Sequence, residues 1–341
     1  MTSEEDEHSA RSSAGRRRKT SGSSDGTRYS DSDADDTRVA PRQPSLVCAM
    51  ESVKLLVTLL SCLTPSKKEQ RVRCDVDAHG MLFTAHSKGK SLQIKTSIGS
   101  DLFESFALVN DPSGVDDDEE VQLSFALNAN TLVECLSMFG PSALATTSLR
   151  MTYAPESASL LLVVEESGVI CECSMQVLEH EGSDMEQFAF ESAFEQSAVV
   201  ARCIMQSEPL HDAFAELYDL PSAASVTIAM YNPEELHDGH AKSLSLSATS
   251  ETGSCEIDFA PTSRAFIEYA SEVDPDDGGV AEAAFHVAVL QQAFKALAHS
   301  NETFLRMNGD GFLSVQHMIE SGTGQKAFID ALISPEDPSV A

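Results

Sequence analysis

The chain alternates between two hydrophobic periodicities from residue 45 onward. Every second residue is apolar in "RVRCDVD" at 71–77, "MLFTAH" at 81–86 and "LQIKT" at 92–96, which is typical of half-buried strands. Apolar residues recur at helical spacing in 51–64 and 130–139, the latter with Asn128 as a candidate N-cap. Further strands are predicted at 45–50, 121–127, 148–153, 159–165 and 169–175. The first half is therefore predicted to run strand, helix, three strands, strand, helix, three strands.

The second half repeats this order. Its strands are predicted at 197–205, 225–230, 243–248, 254–259 and 282–287, and its helices at 208–218 and 290–298. Two related phrases, 149–168 and 305–322, both begin Leu-Arg-Met and both end Glu-Ser-Gly. Aligning them pairs Leu149 with Leu305 and Gly168 with Gly322, and Phe125 pairs with Phe285 upstream. A repeat of about 150 residues is a duplicated domain rather than a solenoid unit.

This pattern predicts an α+β fold, in which each copy packs two helices on an antiparallel sheet. A polar, acidic segment at 178–187 separates the copies. The predicted domain organisation is an N-terminal tail at 1–44, a first domain at 45–177, a linker at 178–190, a second domain at 191–335 and a C-terminal tail at 336–341.

The charge of the chain restricts its partners. The 341 residues carry a net charge of −31, which argues against strong autonomous binding to a polyanion. Composition predicts that the tail at 1–44 is disordered. Its basic run, Arg16, Arg17, Arg18 and Lys19, has two interpretations, a nuclear localisation signal or a solvated run of charge.

The cysteines and the hydropathy indicate a compartment. The eight cysteines are scattered and form no CxxC pair, which indicates reduced thiols in an intracellular protein. We find no signal peptide, and the longest aliphatic run, at 53–63, is too short to cross a bilayer. The sequence therefore predicts a cytosolic or nuclear protein without a membrane partner.

Four stretches carry a resemblance to a known family. "ANTLVECLSMFG" at 129–140, "LLLVVEESGVICEC" at 160–173, "IMQSEPLHDAFAEL" at 204–217 and "GFLSVQHMIESG" at 311–322 resemble the Rad-one subunits of the heterotrimeric DNA-damage checkpoint clamp. The relatives of that family are the Rad-nine and Hus-one subunits and, more distantly, proliferating cell nuclear antigen. The resemblance covers about residues 45–335.

The resemblance implies a DNA-clamp fold and a ring. Rad-nine-like and Hus-one-like subunits would complete a heterotrimer around double-stranded DNA, and a clamp-loading complex would open it at damaged junctions. Such a subunit is a nuclear, non-catalytic platform for checkpoint signalling and repair, and no cofactor or metal is expected. A homotrimeric replication clamp is an alternative.

The family's helices face the hole of the ring, which gives candidate DNA-facing residues. The helices at 51–64 and 290–298 offer Lys54 and Lys295. The helix at 208–218 is acidic, which puts strong DNA binding by the isolated subunit in doubt. A basic cluster after the first helix is either a phosphate-contacting rim loop or a solvated loop, and its members are Lys67, Lys68, Arg71 and Arg73.

Ring closure in this family pairs the edge strands of neighbouring subunits. The matching segments here are 169–175 and 254–259, and the alternative is that both are ordinary strands. The candidate interface residues are Val169, Ile170, Cys171, Glu172, Cys173, Cys255, Glu256, Ile257, Asp258 and Phe259. The linker corresponds to the loop over which replicative clamps bind peptides, where Met185 and Phe188 would line a pocket or pack in the core.

Catalysis is the competing function, because members of this family have been described as 3′→5′ exonucleases. Such chemistry usually needs two metals held by convergent carboxylates. The acidic run at 116–120 supplies charge but lies in a loop, with no second carboxylate cluster to complete a site. "NGDG" at 308–311 lacks the acids of a calcium loop, and Cys171 and Cys173 have no further zinc ligand nearby in sequence.

Overall fold

The computed structural model describes residues 46–63, 70–87, 89–109, 123–178, 184–234, 241–274, 278–322 and 324–336. Of residues 184–189 and 157 only the backbone is described. The N-terminal tail, the acidic run at 116–120 and both Lys67 and Lys68 lie outside these residues. Within the described part of the chain, no helix is long and apolar enough to cross a membrane.

The first copy contains nine strands and two α-helices. Both helices and eight of the strands follow the predicted order, and Ser105–Leu108 is an additional strand. They are β1 Leu46–Met50, α1 Lys54–Cys62, β2 Arg71–Asp77, β3 Gly80–His86, β4 Leu92–Gly99, β5 Ser105–Leu108, β6 Leu123–Asn128, α2 Ala129–Leu136, β7 Ser148–Ala154, β8 Ser159–Glu166 and β9 Val169–Gln176. Asn128 is the N-cap of α2, since its side chain accepts from the amides of Asn130 (3.0 Å) and Thr131 (3.3 Å).

The second copy has the same order after one additional helix, α3 Asp184–Glu195. Its elements are β10 Val199–Gln206, α4 Ser207–Tyr218, β11 Ser225–Tyr231, β12 Leu244–Ser250, β13 Gly253–Phe259, β14 Phe266–Ser271, β15 Val280–His286, α5 Val287–Ala293, β16 Glu302–Asn308, β17 Leu313–Glu320 and β18 Lys326–Ile333. A 3₁₀ helix, Phe294–Ala298, continues α5.

The strands of each copy divide between two sheets, and one sheet joins the copies. The first copy forms the five-stranded sheet β5-β1-β7-β8-β9, and the second copy forms the four-stranded sheet β13-β12-β11-β15. The remaining strands form a nine-stranded sheet, β14-β10-β16-β17-β18-β4-β3-β2-β6, in which β18 of the second copy pairs antiparallel with β4 of the first. The α+β fold is thus confirmed, with a continuous sheet across the junction of the copies.

Backbone hydrogen bonds fix the register of the two copies at their first helices. The amide of Val53 donates to the carbonyl of Thr147 (3.1 Å). In the second copy the amide of Ser207 donates to the carbonyl of Asn301 (3.0 Å). Both members of the second pair lie 154 residues after their counterparts, so Val53 corresponds to Ser207 and Thr147 to Asn301.

The Leu-Arg-Met phrases are two residues out of this register. With the same spacing Leu149 corresponds to Thr303, and Leu305 corresponds to Met151 rather than to Leu149. All four side chains point into the core. Because side chains of a strand alternate with period two, a shift of two residues preserves the apolar pattern. The alignment by sequence identity was therefore wrong in register, although the duplication itself is present.

The ends of the two copies repeat a second hydrogen bond. The amide of Leu178 donates to the carbonyl of Ala126 (2.8 Å), and the amide of Glu336 donates to the carbonyl of Ala284 (2.8 Å). Each member of the second pair lies 158 residues after its counterpart. Within each copy this bond ties the segment after the last strand to β6 or β15, on the other sheet of the same copy.

The helices other than α3 form one layer on the buried face of the sheets. The face of α1 toward the core carries Leu56, Leu59 and Leu60, each at most 3% exposed. In α4 the ring of Phe214 lies 4.2 Å from that of Phe294, between ring centroids. The ammonium of Lys295 donates to the carbonyl of Ser61 (2.6 Å), which joins the helices of the two copies.

A buried polar chain stabilises the second copy. His317 is 0% exposed, and its Nε2 must donate to the carbonyl of Ala293 (3.1 Å), because a carbonyl only accepts. Burial lowers the pKa of the imidazole to about 4, so the ring is neutral at pH 7. Nδ1 then accepts from the hydroxyl of Thr303 (3.0 Å), which in turn accepts from Ser207 (2.8 Å). Ser300 donates to Ser207 (2.8 Å) and completes the chain.

The acidic segment between the copies contains a helix that its composition did not predict. On β17, His317 faces α5, so its neighbour Gln316 points to the opposite face of the sheet. Helix α3 lies on this second face, where Glu191 forms an ion pair with Lys95. The carbonyl of Phe194 accepts from Asn308 Nδ2 (2.9 Å). The side chains of Met185 and Phe188, predicted near a pocket, are outside the described part of the chain.

Candidate sheet edges and helical face

The first candidate interface strand, β9, lies at the end of the five-stranded sheet. Among the described strands it has a neighbour on one side only, β8. Val169 is 59% and Ile170 is 65% exposed, whereas Cys171 and Cys173 turn toward the core. Burial raises the pKa of both thiols, so they stay protonated at neutral pH. This edge therefore presents unpaired backbone groups together with an apolar patch.

The second candidate strand, β13, lies at the end of the four-stranded sheet and, within the described residues, pairs only with β12. Cys255 and Ile257 pack toward the core, and Phe259 is 9% exposed. The outward side chains are acidic: Lys242 Nζ lies 2.8 Å from a carboxylate oxygen of Glu256 and 3.0 Å from one of Asp258. One buried lysine thus offsets one of the two negative charges.

The junction of β18 with β4 shows how this fold joins two such edges. Asp330 lies directly opposite Lys95 in the register. Burial lowers the pKa of Lys95 and raises the pKa of Asp330, and the opposite charge of each group offsets part of the shift of the other. Asp330 also accepts from Gln316 Nε2 (2.7 Å), and Glu191 pairs with Lys95. The junction is closed by backbone pairing and by opposite charges.

The sequence did not indicate Lys95 or Asp330 as interface residues. Nothing local marks them, because 235 residues separate the two side chains along the chain. They are found only from the strand order, which makes β4 and β18 neighbours.

The exposed face of the helical layer is negative. In α1, α2, α4, α5 and the 3₁₀ helix after α5, the basic residues are Lys54 and Lys295, and the carboxylates are Glu134, Glu208, Asp212 and Glu216. Two positive and four negative charges give a net charge of −2 on this face. Lys54 is exposed, and Lys295 is exposed while bonded to Ser61.

The other predicted DNA-facing residues lie elsewhere. Cys74 and Leu56 line the same small core space, so β2 turns Cys74 toward the helices. Strand alternation then directs Arg71 and Arg73 to the opposite face, where Arg73 pairs with Asp75 (2.7 Å). This placement does not bring Arg71 and Arg73 together with Lys54 and Lys295 on the helical face. The run Arg16–Lys19 lies outside the described residues.

We expect the isolated subunit to bind duplex DNA no more tightly than about 10⁻⁴ M at physiological salt, because its helical face repels phosphates. Replacing Glu208, Asp212 and Glu216 together by Lys should produce binding that weakens steeply with added salt. Fluorescence anisotropy of a labelled linear duplex measures the affinity of the unmodified chain and the salt dependence of the variant. The control variant places three lysines at positions outside the helices, at Glu104, Glu251 and Glu320. Micromolar binding by the unmodified chain would contradict this account of the helical face.

The candidate catalytic run at 116–120 lies outside the described residues, and the other candidate metal-binding groups can be placed. The described residues contain no cluster of three or more His, Cys, Asp or Glu side chains arranged to hold a metal ion. The segment "NGDG" forms the turn between β16 and β17, where Asn308 Oδ1 accepts from the amides of Asp310 (3.1 Å) and Phe312 (2.9 Å). These bonds give the segment a structural role in the hairpin.

Comparisons with known proteins agree with this architecture. The family model "Repair protein Rad1/Rec1/Rad17" matches residues 45–319. The human protein named cell cycle checkpoint protein RAD1 is 27% identical over 307 residues, which cover 86% of this chain and 93% of the human protein. Its mouse counterpart is also 27% identical over 307 residues, with 86% and 94% coverage.

Solved structures of sliding clamps share the fold. PCNA from Thermococcus kodakaraensis superposes with a TM-score of 0.64 at 13% identity, over 85% of this chain and 100% of that chain. A chain of the PCNA2–PCNA3 complex from Sulfolobus tokodaii gives a TM-score of 0.61 at 13% identity, over 85% and 99%. At such low identity these likenesses establish the PCNA-like clamp fold alone. Since the family model spans most of its length, the chain belongs to the Rad1/Rec1/Rad17 family of repair proteins.

Proposed function

We propose that this chain is a non-catalytic subunit of a heterotrimeric checkpoint clamp that encircles DNA, is loaded at damaged sites and serves as a platform for checkpoint signalling and repair. Membership of the Rad1/Rec1/Rad17 family and the PCNA-like fold support a clamp subunit. The names of the human and mouse relatives, cell cycle checkpoint proteins, support the checkpoint role. Such a role places the protein in the nucleus, and Arg16–Lys19 is the candidate localisation signal.

The proposed ring rests on one observation, the position of two edge strands. Strands β9 and β13 end their sheets, and they are the counterparts, in the duplicated order, of β18 and β4, which pair inside the chain. The fold therefore joins one pair of such edges internally and presents the other pair outward, at two separate sheets. Backbone pairing at both outward edges joins each subunit to two neighbours, which is what a closed ring requires.

The partners in this proposal are Rad-nine-like and Hus-one-like subunits and a clamp-loading complex. Double-stranded DNA is held by encirclement. The negative helical face agrees with a subunit that adds little DNA affinity of its own, so the positive charge of the hole has to come largely from neighbouring subunits.

Assembly tests the proposal directly. Sedimentation or size-exclusion chromatography of the full chain should give a monomer alone and a 1:1:1 complex with the Rad-nine-like and Hus-one-like subunits. Replacing Ile170 by Asp should weaken assembly at least tenfold. The substitution places a charge on β9, and strand pairing with a neighbouring subunit would remove that charge from water. The matched control is Ile267→Asp on β14, which is 53% exposed and lies on neither β9 nor β13. A stable homotrimer, or equal loss with both variants, would contradict the proposed ring.

A further inference from the structure

The duplicated order assigns a specific counterpart to each residue of the internal junction. Glu336 is the counterpart of Leu178, because both amides donate to equivalent carbonyls after the last strand of a copy. Asp330 lies six residues before Glu336, and Glu172 lies six residues before Leu178. Strands β18 and β9 lead to these positions without interruption. Glu172 on the free edge therefore corresponds to Asp330 at the junction.

The counterpart of Lys95 follows from strand register, starting at Ala126 and Ala284. In the first copy the row of opposed residues runs from Ala126 on β6 through β2 and β3 to Lys95 on β4. In the second copy the equivalent row runs from Ala284 on β15 through β11 and β12 to Glu256 on β13. Glu256 on the second free edge therefore corresponds to Lys95.

These correspondences give the charges that would meet if one copy of the chain paired with another. At the internal junction the opposed pair is Asp330 with Lys95, of opposite charge. In the same register β9 of one copy and β13 of the next would oppose Glu172 and Glu256, which carry like charges. Asp258 lies two residues further along the same face of β13. Lys242 compensates one of the two acids on β13, and Glu172 on β9 is exposed.

We propose that Glu172 and Glu256 prevent this chain from pairing with itself and select partner edges that carry Lys or Arg. The partner strand facing β9 presents its cation opposite Glu172, as Lys95 does opposite Asp330. The partner strand facing β13 presents a cation opposite Glu256. This inference rests on the proposed ring and adds the chemistry by which its neighbours are chosen. Like charges directly opposite on adjacent strands destabilise pairing, and opposite charges stabilise it.

A charge reversal at one position tests the inference with the full chain. Glu172→Lys should place Lys opposite Glu256 and tighten self-association about tenfold, as measured by sedimentation equilibrium at low salt. It should weaken assembly with basic partner edges by a similar factor. Glu216→Lys on α4 makes the same change of net charge away from both edges and should leave self-association unchanged.

The double variant Glu172→Lys with Glu256→Lys restores like charges and should return the chain to a monomer. Register has its own readout, because the same correspondences oppose Ser174 of one copy to Ser254 of the next, and both residues are exposed. A short bismaleimide should link cysteines introduced at these two positions in the Glu172→Lys assembly. If Glu172→Lys associates no more than Glu216→Lys, the charge rule fails, whereas 1:1:1 assembly of the unmodified chain would leave the proposed function intact.

Discussion

Lowering the pH from 7.5 to 5 is expected to reduce the free energy of unfolding by about 2 kcal/mol through a single buried side chain, His317. Burial lowers the pKa of this imidazole from 6.5 to about 4. The unfolded chain therefore binds more protons than the folded chain between these two values. The contribution of His317 is fully present above pH 6.5, decreases as the pH falls through this window, and is lost at the folded-state pKa.

The variant His317→Val separates this contribution from those of the carboxylates. Its counterpart in the first copy is Val164, since Thr303 and His317 are opposed as Leu149 and Val164 are. Urea unfolding followed by circular dichroism should show a smaller loss of stability between pH 7.5 and 5 in the variant. If the free energy of unfolding falls equally with pH in the two proteins, His317 does not titrate as described.

At pH 7.5 the same substitution should destabilise the protein by about 2 kcal/mol, because the carbonyl of Ala293 and the hydroxyl of Thr303 each lose a partner. The first copy fills the positions of Ser207, Thr303 and His317 with the apolar residues Val53, Leu149 and Val164. Introducing all three of these apolar residues, as Ser207→Val, Thr303→Leu and His317→Val, should therefore cost less than the single change. A larger loss in the triple variant would mean that packing differs between the copies.

Hydrophobic alternation was sufficient to predict most elements and their order. It located both helices of the first copy, and all its strands except β5, within a few residues of their bounds. It could not set the register between the copies, and both Leu149 with Leu305 and Phe125 with Phe285 were two residues out. Only backbone hydrogen bonds distinguish registers that differ by an even number of residues.

Elements whose stability comes from tertiary contacts were harder to predict. Helix α3 has an acidic composition and a weak apolar face, and Phe190, Glu191 and Phe194 are among the residues by which it contacts the rest of the chain. Local sequence gives little indication of such a helix, because propensity is a weak prior that tertiary packing overrides.

The candidate site was likewise predicted only in part. The family resemblance indicated both edge strands, and the structure places each of them at the end of a sheet. That they form the ring interface stays a prediction. The charges that choose a partner were not predictable, because Glu172 and Glu256 acquire significance only through their correspondence with Asp330 and Lys95.

Replacing Lys95 by Glu is expected to destabilise the protein by about 2–4 kcal/mol. This substitution tests the junction of β4 with β18, from which the roles of Glu172 and Glu256 are inferred. Breaking a buried ion pair by removing one partner typically costs about 3–5 kcal/mol. The lower range applies here because the side chain of Lys95 is 18% exposed and solvent screens part of the interaction. The introduced carboxylate would face Asp330 and lie near Glu191, whereas Lys95→Met removes the cation without adding a like charge.

Urea unfolding of both variants at pH 7.5 therefore separates the two effects. Lys95→Glu should unfold at a lower urea concentration than Lys95→Met, and the difference measures the repulsion of the introduced carboxylate by Asp330 and Glu191 together. The exchange Lys95→Asp with Asp330→Lys should recover part of the loss, because it restores opposite charges across the junction. If Lys95→Glu proves no less stable than Lys95→Met, opposed carboxylates are tolerated here. The repulsion between Glu172 and Glu256 would then be too weak to prevent two copies of the chain from pairing.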